Sequence, residues 1–173
     1  MDQFIELAKI LLPSILIMYA MYLTIRSFLR KEFERKLIDL RTKNTEMVLP
    51  LRLQAYERMC IFLERISPAN LFPRVNQPMY TADEFRHILV KEVREEFAHN
   101  LSQQIYMSDV SWQTIRQAME EIILLINQSA ENLKETDSGL DLTRIVFEKI
   151  IHQQLDPTAL ALKIIKDEIR VIF

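Results

Sequence analysis

A run of sixteen residues without a charge, residues 10–25, most constrains how this chain can fold. As an α-helix the run rises about 24 Å, a little short of the roughly 30 Å of hydrocarbon in a bilayer. Lys9 can extend its ammonium toward one headgroup layer, and Phe28 and Leu29 extend the apolar surface at the other end. The run is apolar all round and leaves no polar face for water. The sequence therefore predicts that residues 1–29 form a transmembrane helix.

A cleaved signal peptide and a buried core helix are the alternatives for this run. A signal peptide needs a positively charged start and small residues at its cleavage site, whereas this chain begins with Asp2 and Glu6. A core helix of a soluble domain usually keeps a polar stripe, which this run lacks. Both alternatives fit the residues less well than an anchor does.

Basic residues follow the run at once and predict its orientation. Positive charge stays on the cytoplasmic side of a membrane, so we expect the amino terminus outside and the remaining chain in the cytoplasm. Residues 26–52 carry eight basic and four acidic side chains, whereas residues 53–173 carry thirteen basic and eighteen acidic ones. Anionic headgroups attract cations near the surface. The residues expected at the membrane surface are Arg26, Arg30, Lys31, Arg35 and Lys36.

Residues 30–50 are predicted to form a basic stalk helix that is broken at Pro50. A narrow apolar edge continues along it and requires a partner, which could be a second copy, the lipid surface or the folded-back domain. Nucleic acid is not an expected partner, because acidic residues interleave the basic ones and no base-reading fold is recognisable. The residues of this edge are Phe28, Phe33, Leu37 and Leu40.

The chain has one glycine in 173 residues, which leaves little material for tight hairpins and predicts an all-α fold. Residues 51–173 are enough for one cytoplasmic helical bundle. Cys60 is the one cysteine of the chain, so no intrachain disulfide can form. Its side chain is expected to be buried as a small apolar group.

Turn residues divide the expected bundle into helices. Residues 51–66 are dense in apolar side chains and predict a central core helix. Three prolines between residues 67 and 80 predict an irregular segment. Thr81 and Glu84 have capping-box spacing and open a helix expected to reach Met107. The apolar residues of that helix recur at every fourth position: Phe85, Leu89, Val93, Phe97, Leu101 and Ile105.

Two local signals predict the remaining helices. Ser108 is expected to cap a helix that runs to about Leu133, followed by a flexible loop at residues 134–139. A short helix is expected around residues 142–154. Asp156 and Pro157 then open a last helix, whose end at Phe173 is expected to be docked.

Two Glu-x-x-His motifs form the best metal-like signal, one ending at His87 and the other pairing Glu96 with His99. Di-iron bundles draw such motifs from different helices, whereas both of these fall on one helix. Each histidine also lies about 200° around the axis from a residue of the apolar stripe. We expect no metal site, and the nearest candidates are Glu96 and His99.

Enzyme activity is not expected from these residues. A chain with Gly139 as its one glycine cannot build a phosphate-binding loop or a dinucleotide fingerprint, and it has no Gly-x-Ser-x-Gly elbow. No cofactor and no small-molecule substrate is indicated. The alternative is a metal-dependent or hydrolytic enzyme with a site in the bundle.

Two groups of residues are candidates for contact with a protein partner. Polar side chains cluster at the end of the long helix, and the proline-containing segment offers an irregular surface of the kind that often carries recognition. These candidates are Phe72, Arg74, Asn100, Gln103, Gln104 and Tyr106.

Three segments carry a resemblance to a known family: LPLRLQAYER at residues 49–58, FLERI at 62–66 and EEFAHNLSQQIY at 95–106. They resemble an uncharacterised family of single-pass, membrane-anchored helical proteins from Bacteroidetes-group bacteria. The resemblance implies a bacterial inner-membrane location and brings no activity with it. We therefore expect a scaffold or accessory subunit that acts by helix–helix contact, within a membrane complex or as a homo-oligomer.

The expected single anchor and charged stalk also resemble the b subunit of rotary ATP synthases. That likeness is architectural only, because a stalk broken at Pro50 could not extend as one rod.

Overall fold

The computed structural model describes residues 2–77, 79–134, 136–153 and 156–172. Side chains are not described at residues 2–10, 12, 13, 44, 153 and 172. The contacts divide the chain into two units, Met1–Leu49 and Pro50–Phe173. The described residues are helical and contain no strand, which confirms the predicted all-α fold.

The helices are α1 (Asp2–Ile66), α2 (Pro68–Val75), α3 (Ala82–His99), a 3₁₀ helix η1 (Leu101–Tyr106), α4 (Asp109–Ala130), α5 (Gly139–Gln153) and α6 (Pro157–Ile172). Among the described residues, none of these helices has a stretch that is both long and apolar enough to cross a membrane.

The first unit consists of α1 as far as Leu49. Its described charged side chains pair along the helix surface, with Arg30 Nε 3.2 Å from Glu34 Oε1 and Lys36 Nζ 3.6 Å from Glu32 Oε1. Such exposed pairs at a spacing of four residues stabilise a helix by about 0.3–0.5 kcal/mol each.

α1 is helical through Pro50, so the predicted break is wrong. A proline inside a helix removes one N–H donor and costs about 3 kcal/mol. The turns that follow bury Met59, Phe62, Leu63 and Ile66 completely. Burial of each such side chain stabilises the fold by about 1.5–3 kcal/mol, and together these contributions offset the cost of the proline.

The core of the second unit lies between the last turns of α1 and the five α-helices that follow. Six side chains between residues 55 and 66 are buried, which confirms the predicted core helix. Aromatic rings connect the elements: Phe62 lies 5.6 Å from Phe97, which stacks on Trp112 at 5.4 Å between ring centroids. The largest fully buried side chains are Tyr56, Phe62, Phe72, Phe85, Met59, Leu63, Ile66, Leu71, Leu89, Ile115, Ile122 and Ile126.

Residues 68–75 form α2, so the irregular segment predicted there is wrong. Pro68 stands in the first turn of α2, where its missing N–H needs no partner. Pro73 lies inside α2, and burial of Leu71 and Phe72 compensates for the lost hydrogen bond. Pro78 lies outside the described residues.

α3 ends at His99 instead of reaching Met107. The backbone N–H of Asn100 donates to Phe97 O at 2.9 Å, and its side-chain amide donates to Glu96 O at 2.8 Å. These bonds close the last turn, and η1 follows. The predicted apolar stripe is right as far as Phe97 and wrong at Leu101 and Ile105, which are 44% and 73% exposed.

The three predicted helix starts are confirmed by their hydrogen bonds. Thr81 and Glu84 form a capping box, in which Thr81 N–H donates to Glu84 Oε2 at 3.0 Å. Ser108 Oγ accepts from Ser111 N–H at 3.1 Å. Asp156 Oδ1 accepts from Thr158 N–H at 2.9 Å. The expected docking of Phe173 lies outside the described residues.

The segment before α5 is held by the backbone instead of being a flexible loop. Ala82 N–H donates to Asp137 O at 2.8 Å, and Gly139 N–H donates to Tyr80 O at 3.1 Å. Gly139 begins α5 and packs closely on Phe85, since a Cβ there would lie 3.1 Å from Phe85 Cδ1. The glycine therefore serves close packing between α5 and α3.

Replacement of Phe72 by Ala is expected to lower the free energy of unfolding of the second unit by about 3–5 kcal/mol. The ring is buried and meets Phe85 edge-on at 5.6 Å and Phe147 at 5.9 Å, so truncation leaves a cavity among three helices. Urea denaturation followed by circular dichroism measures the loss. Met79→Ala, at a residue 90% exposed, is the control and should change stability by less than about 0.5 kcal/mol. Equal effects of the two changes would contradict this packing.

Candidate functional site

The first unit exposes large apolar side chains on every side of α1. Leu16, Ile17, Met18 and Tyr19 are between 62% and 70% exposed. Consecutive helical residues point about 100° apart, so these four surround the helix. Continuous exposed apolar surface marks a region that contacts lipid or another protein. This surface is a candidate interaction site in the described part of the first unit.

The five basic residues predicted for the membrane surface are all exposed on α1 after this apolar region. Two of them form ion pairs along the helix, and these pairs leave the guanidinium and ammonium groups open to solvent on their other sides. Their contact with a membrane stays a prediction. The residues are Arg26, Arg30, Lys31, Arg35 and Lys36.

The two metal candidates do not form a ligand set in the described residues. Glu96 Oε2 lies 3.0 Å from Arg65 Nε, and His99 is exposed. Glu84 is used in the capping box, while His87 Nε2 lies 3.5 Å from Asp83 Oδ2. Within the part of the chain that the structure describes, no three His, Cys, Asp or Glu side chains stand close enough to hold a metal ion.

The two predicted partner residues of the proline-containing segment differ in their exposure to solvent. Phe72 is fully buried, so its prediction as a partner contact is wrong: α2 turns this ring into the core. Arg74 stays half-exposed, with its Nη1 3.2 Å from Glu92 Oε2. Arg74 is therefore the one of the two that a partner could reach.

The residues of the predicted polar cluster after α3 also differ in exposure. Asn100 is buried and caps α3, so it is not available to a partner. Gln104 is exposed on η1, and Gln103 donates to Ser102 Oγ at 3.3 Å. Tyr106 is half-buried, and its carbonyl accepts from Arg52 Nε at 3.2 Å.

A cluster around Glu168 was not predicted from the sequence. Tyr56 OH donates to Glu168 Oε1 at 2.5 Å, and Ser108 Oγ donates to Glu168 Oε2 at 2.8 Å. The hydroxyl of Ser111 donates to the same Oε2 in a short contact. One carboxylate on α6 thus accepts hydrogen bonds from α1, from the cap of α4 and from α4 itself.

The pKa of Glu168 is below its ordinary value. Burial alone would raise this pKa, but the hydrogen bonds from Ser111, Tyr56 and Ser108 and the positive charge of Arg52 outweigh it. Burial is also the main reason that the pKa of Tyr56 is raised, and the hydrogen bond to Glu168 adds to it. Tyr56 therefore stays a donor and Glu168 an ionised acceptor at neutral pH.

The sequence contained one signal for this cluster. Glu168 lies three residues after the buried Ile165 and one before Ile169, so it is a charged residue within the apolar stripe of α6. A charge in such a stripe needs hydrogen-bonding partners. Their identity depends on the packing of α1 and α4 against α6.

Cys60 is half-buried against the core, which is less burial than its apolar neighbours in the sequence predicted. Burial raises the pKa of its thiol, so the thiol is protonated at neutral pH. Packing is the role that these surroundings support.

Comparison with known proteins identifies the family of the chain. Residues 2–172 match a family described as "Family of unknown function (DUF7935)". The chain belongs to this family. The match confirms the predicted membership of an uncharacterised family and brings no activity with it. No curated protein and no solved structure matches the chain.

Replacement of Glu168 by Gln is expected to lower the free energy of unfolding at pH 7 by about 1–3 kcal/mol, because three hydroxyl donors lose a charged acceptor. The folded-state pKa of Glu168 is lowered, so its stabilising effect is present above the ordinary value of 4.5 and is lost as the pH falls through the folded-state value. Urea unfolding at a series of pH values from about 6 to about 3 should therefore show a flatter pH dependence for the variant.

The control for this prediction is Asp167→Asn, at an exposed residue paired with Arg170 at 3.3 Å. It should change stability by less than about 0.5 kcal/mol. An unchanged pH dependence in Glu168→Gln would contradict the assignment of the acid-sensitive stability to this carboxylate.

Proposed function

We propose that the chain is a non-enzymatic, membrane-anchored scaffold or accessory subunit. Residues 1–29 cross a bacterial inner membrane with the amino terminus outside, and residues 51–173 form a helical bundle in the cytoplasm. The bundle acts by helix–helix contact with other proteins. The observation that carries the proposal is the apolar surface that surrounds α1 in the first unit.

Exposure of this apolar surface to water is unfavourable, which supports an apolar environment around α1. Burial of one large apolar side chain is worth about 1.5–3 kcal/mol, and the exposed side chains from Ile15 to Ile25 include Leu16, Ile17, Met18 and Leu23. A one-sided partner would cover only one stripe of the helix, whereas lipid covers all sides. The side chains of residues 10, 12 and 13 lie outside the description, so the outer part of the proposed anchor rests on the sequence.

The charges beside the run support the orientation. Arg26, Arg30 and Lys31 are exposed directly after the apolar surface, where cytoplasmic headgroups would attract them. The resemblance of residues 49–58 to Bacteroidetes-group proteins supports the bacterial inner membrane as the location.

The contacts of the second unit support a role by binding instead of catalysis. Glu96 is paired with Arg65, and Glu84 completes a helix cap. Glu168 is held by three hydroxyl groups. These carboxylates are engaged within the fold, which favours a scaffold over the alternative of a metal-dependent or hydrolytic enzyme.

Membrane anchoring is tested by reconstitution of the full chain into vesicles, followed by an alkaline carbonate wash and sedimentation. The chain is expected to stay with the vesicles. A Leu16→Arg and Ile17→Arg double variant is expected to be washed off, since each arginine at the centre of a span costs about 2.5–3.5 kcal/mol. Leu124→Arg, at a residue 54% exposed on α4, is the matched control and should stay. Equal extraction of the unmodified chain and the double variant would contradict the anchor.

A further inference from the structure

α1 carries a second and narrower apolar surface after the proposed anchor. Its members are all exposed, from 42% at Leu37 to 65% at Phe33. With about 100° between consecutive residues, they fall within a sector of about 100° on one side of the helix. We name this surface the stalk stripe, and its residues are Leu29, Phe33, Leu37, Leu40, Met47 and Val48.

Positive charges border the stalk stripe on both edges. The same helical geometry places Arg30 and Arg41 along one edge and Lys36 and Lys43 along the other. All four side chains are exposed. Glu34 and Glu32 lie about 40° farther around the helix than Arg30 and Lys36, and each forms an ion pair with that cation. The stripe is thus an apolar surface between two basic edges.

A lipid surface does not fit this stripe if the proposed anchor is right, and this step rests on the proposed function. The first unit is one uninterrupted helix. A helix that crosses the bilayer at residues 10–25 continues away from it, and at about 1.5 Å per residue Met47 lies about 30 Å beyond Arg26. The headgroup layer is only about 5–8 Å thick. The stripe therefore extends beyond the membrane surface and requires a protein.

A second copy of the chain is disfavoured by its own charges. Two copies anchored in one membrane would run parallel and in register. In a parallel helix pair, residues that flank the apolar seam meet partner residues five positions further on. Lys36 of each copy would then face Arg41 of the other. Such like-charge pairs destabilise the assembly, whereas acidic residues on the partner would stabilise it.

We propose that the stalk stripe binds an amphipathic helix of a different protein, whose apolar face is flanked by Asp and Glu. Apolar contact supplies the affinity, and the basic edges select the partner and its register. The partner of the proposed scaffold would therefore carry an apolar helix face with acidic edges.

The test uses the full chain in lipid nanodiscs and two labelled peptides of about three heptads, with Leu at the seam positions and either Glu or Lys at the flanking positions. Fluorescence anisotropy measures binding. The Glu peptide is expected to bind at least about tenfold more tightly than the Lys peptide. A Lys36→Glu and Arg41→Glu double variant leaves one cation and one carboxylate on each edge and is expected to remove this preference. The control double variant, Lys91→Glu and Arg116→Glu at exposed residues of the second unit, changes the net charge equally and should keep it.

Three outcomes overturn the proposal. Equal binding of the two peptides, or binding of neither, would show that the basic edges do not select an acidic partner. A dimer of the full chain, detected by light scattering, that excludes the Glu peptide would make the second copy the occupant.

The carbonate wash and the peptide titration test different claims, so a negative result in one can be told from a negative result in the other. A chain that stays in vesicles without a peptide preference overturns the partner chemistry alone. A chain that leaves the vesicles overturns the anchor, and with it the exclusion of lipid as the occupant of the stripe.

Discussion

Burial of one face of α1 after Pro50 is the constraint on which the second unit depends. Met59, Leu63 and Ile66 are completely buried in the core, and the ring of Phe62 contacts that of Phe97, which stacks on Trp112. The same helix presents Tyr56 to Glu168, so the apolar core and the polar cluster share one element. The apolar contribution exceeds the cost of the proline by several kcal/mol, since each large side chain contributes about 1.5–3 kcal/mol. The last turns of α1 therefore contribute both to the apolar core and to the polar cluster.

Helix starts could be predicted because they depend on neighbouring residues. Thr81, Ser108 and Asp156 each bond to backbone N–H groups within three residues, and that chemistry is visible in the sequence. Helix ends and prolines were harder to predict, because packing decides them. α2 forms despite Pro73 since Leu71 and Phe72 are buried, and that burial comes from distant parts of the chain.

Among the candidate residues, too, those that depend on local sequence were predicted and those that depend on packing were not. The basic residues from Arg26 to Lys36 are exposed, as a charged helix surface predicts. The prediction for Phe72 assumed an exposed irregular segment and was wrong when that segment proved helical. The Glu168 cluster was missed because Tyr56 and Glu168 are 112 residues apart in sequence. The sequence showed only a charge within an apolar stripe, and the donors follow from the packing of three helices.

The two units place apolar side chains in opposite ways: the second buries them within its own fold, and the first exposes them on every side. The proposed anchor would place lipid around α1, which would account for the exposed apolar side chains of the first unit. The most direct test is a spin label at Met18→Cys and at Ile38→Cys, each in a Cys60→Ser background, in vesicles. If the anchor is right, the label at 18 is accessible to oxygen and shielded from a water-soluble nickel complex, and the label at 38 shows the reverse. Access of the nickel complex to both positions would contradict the anchor.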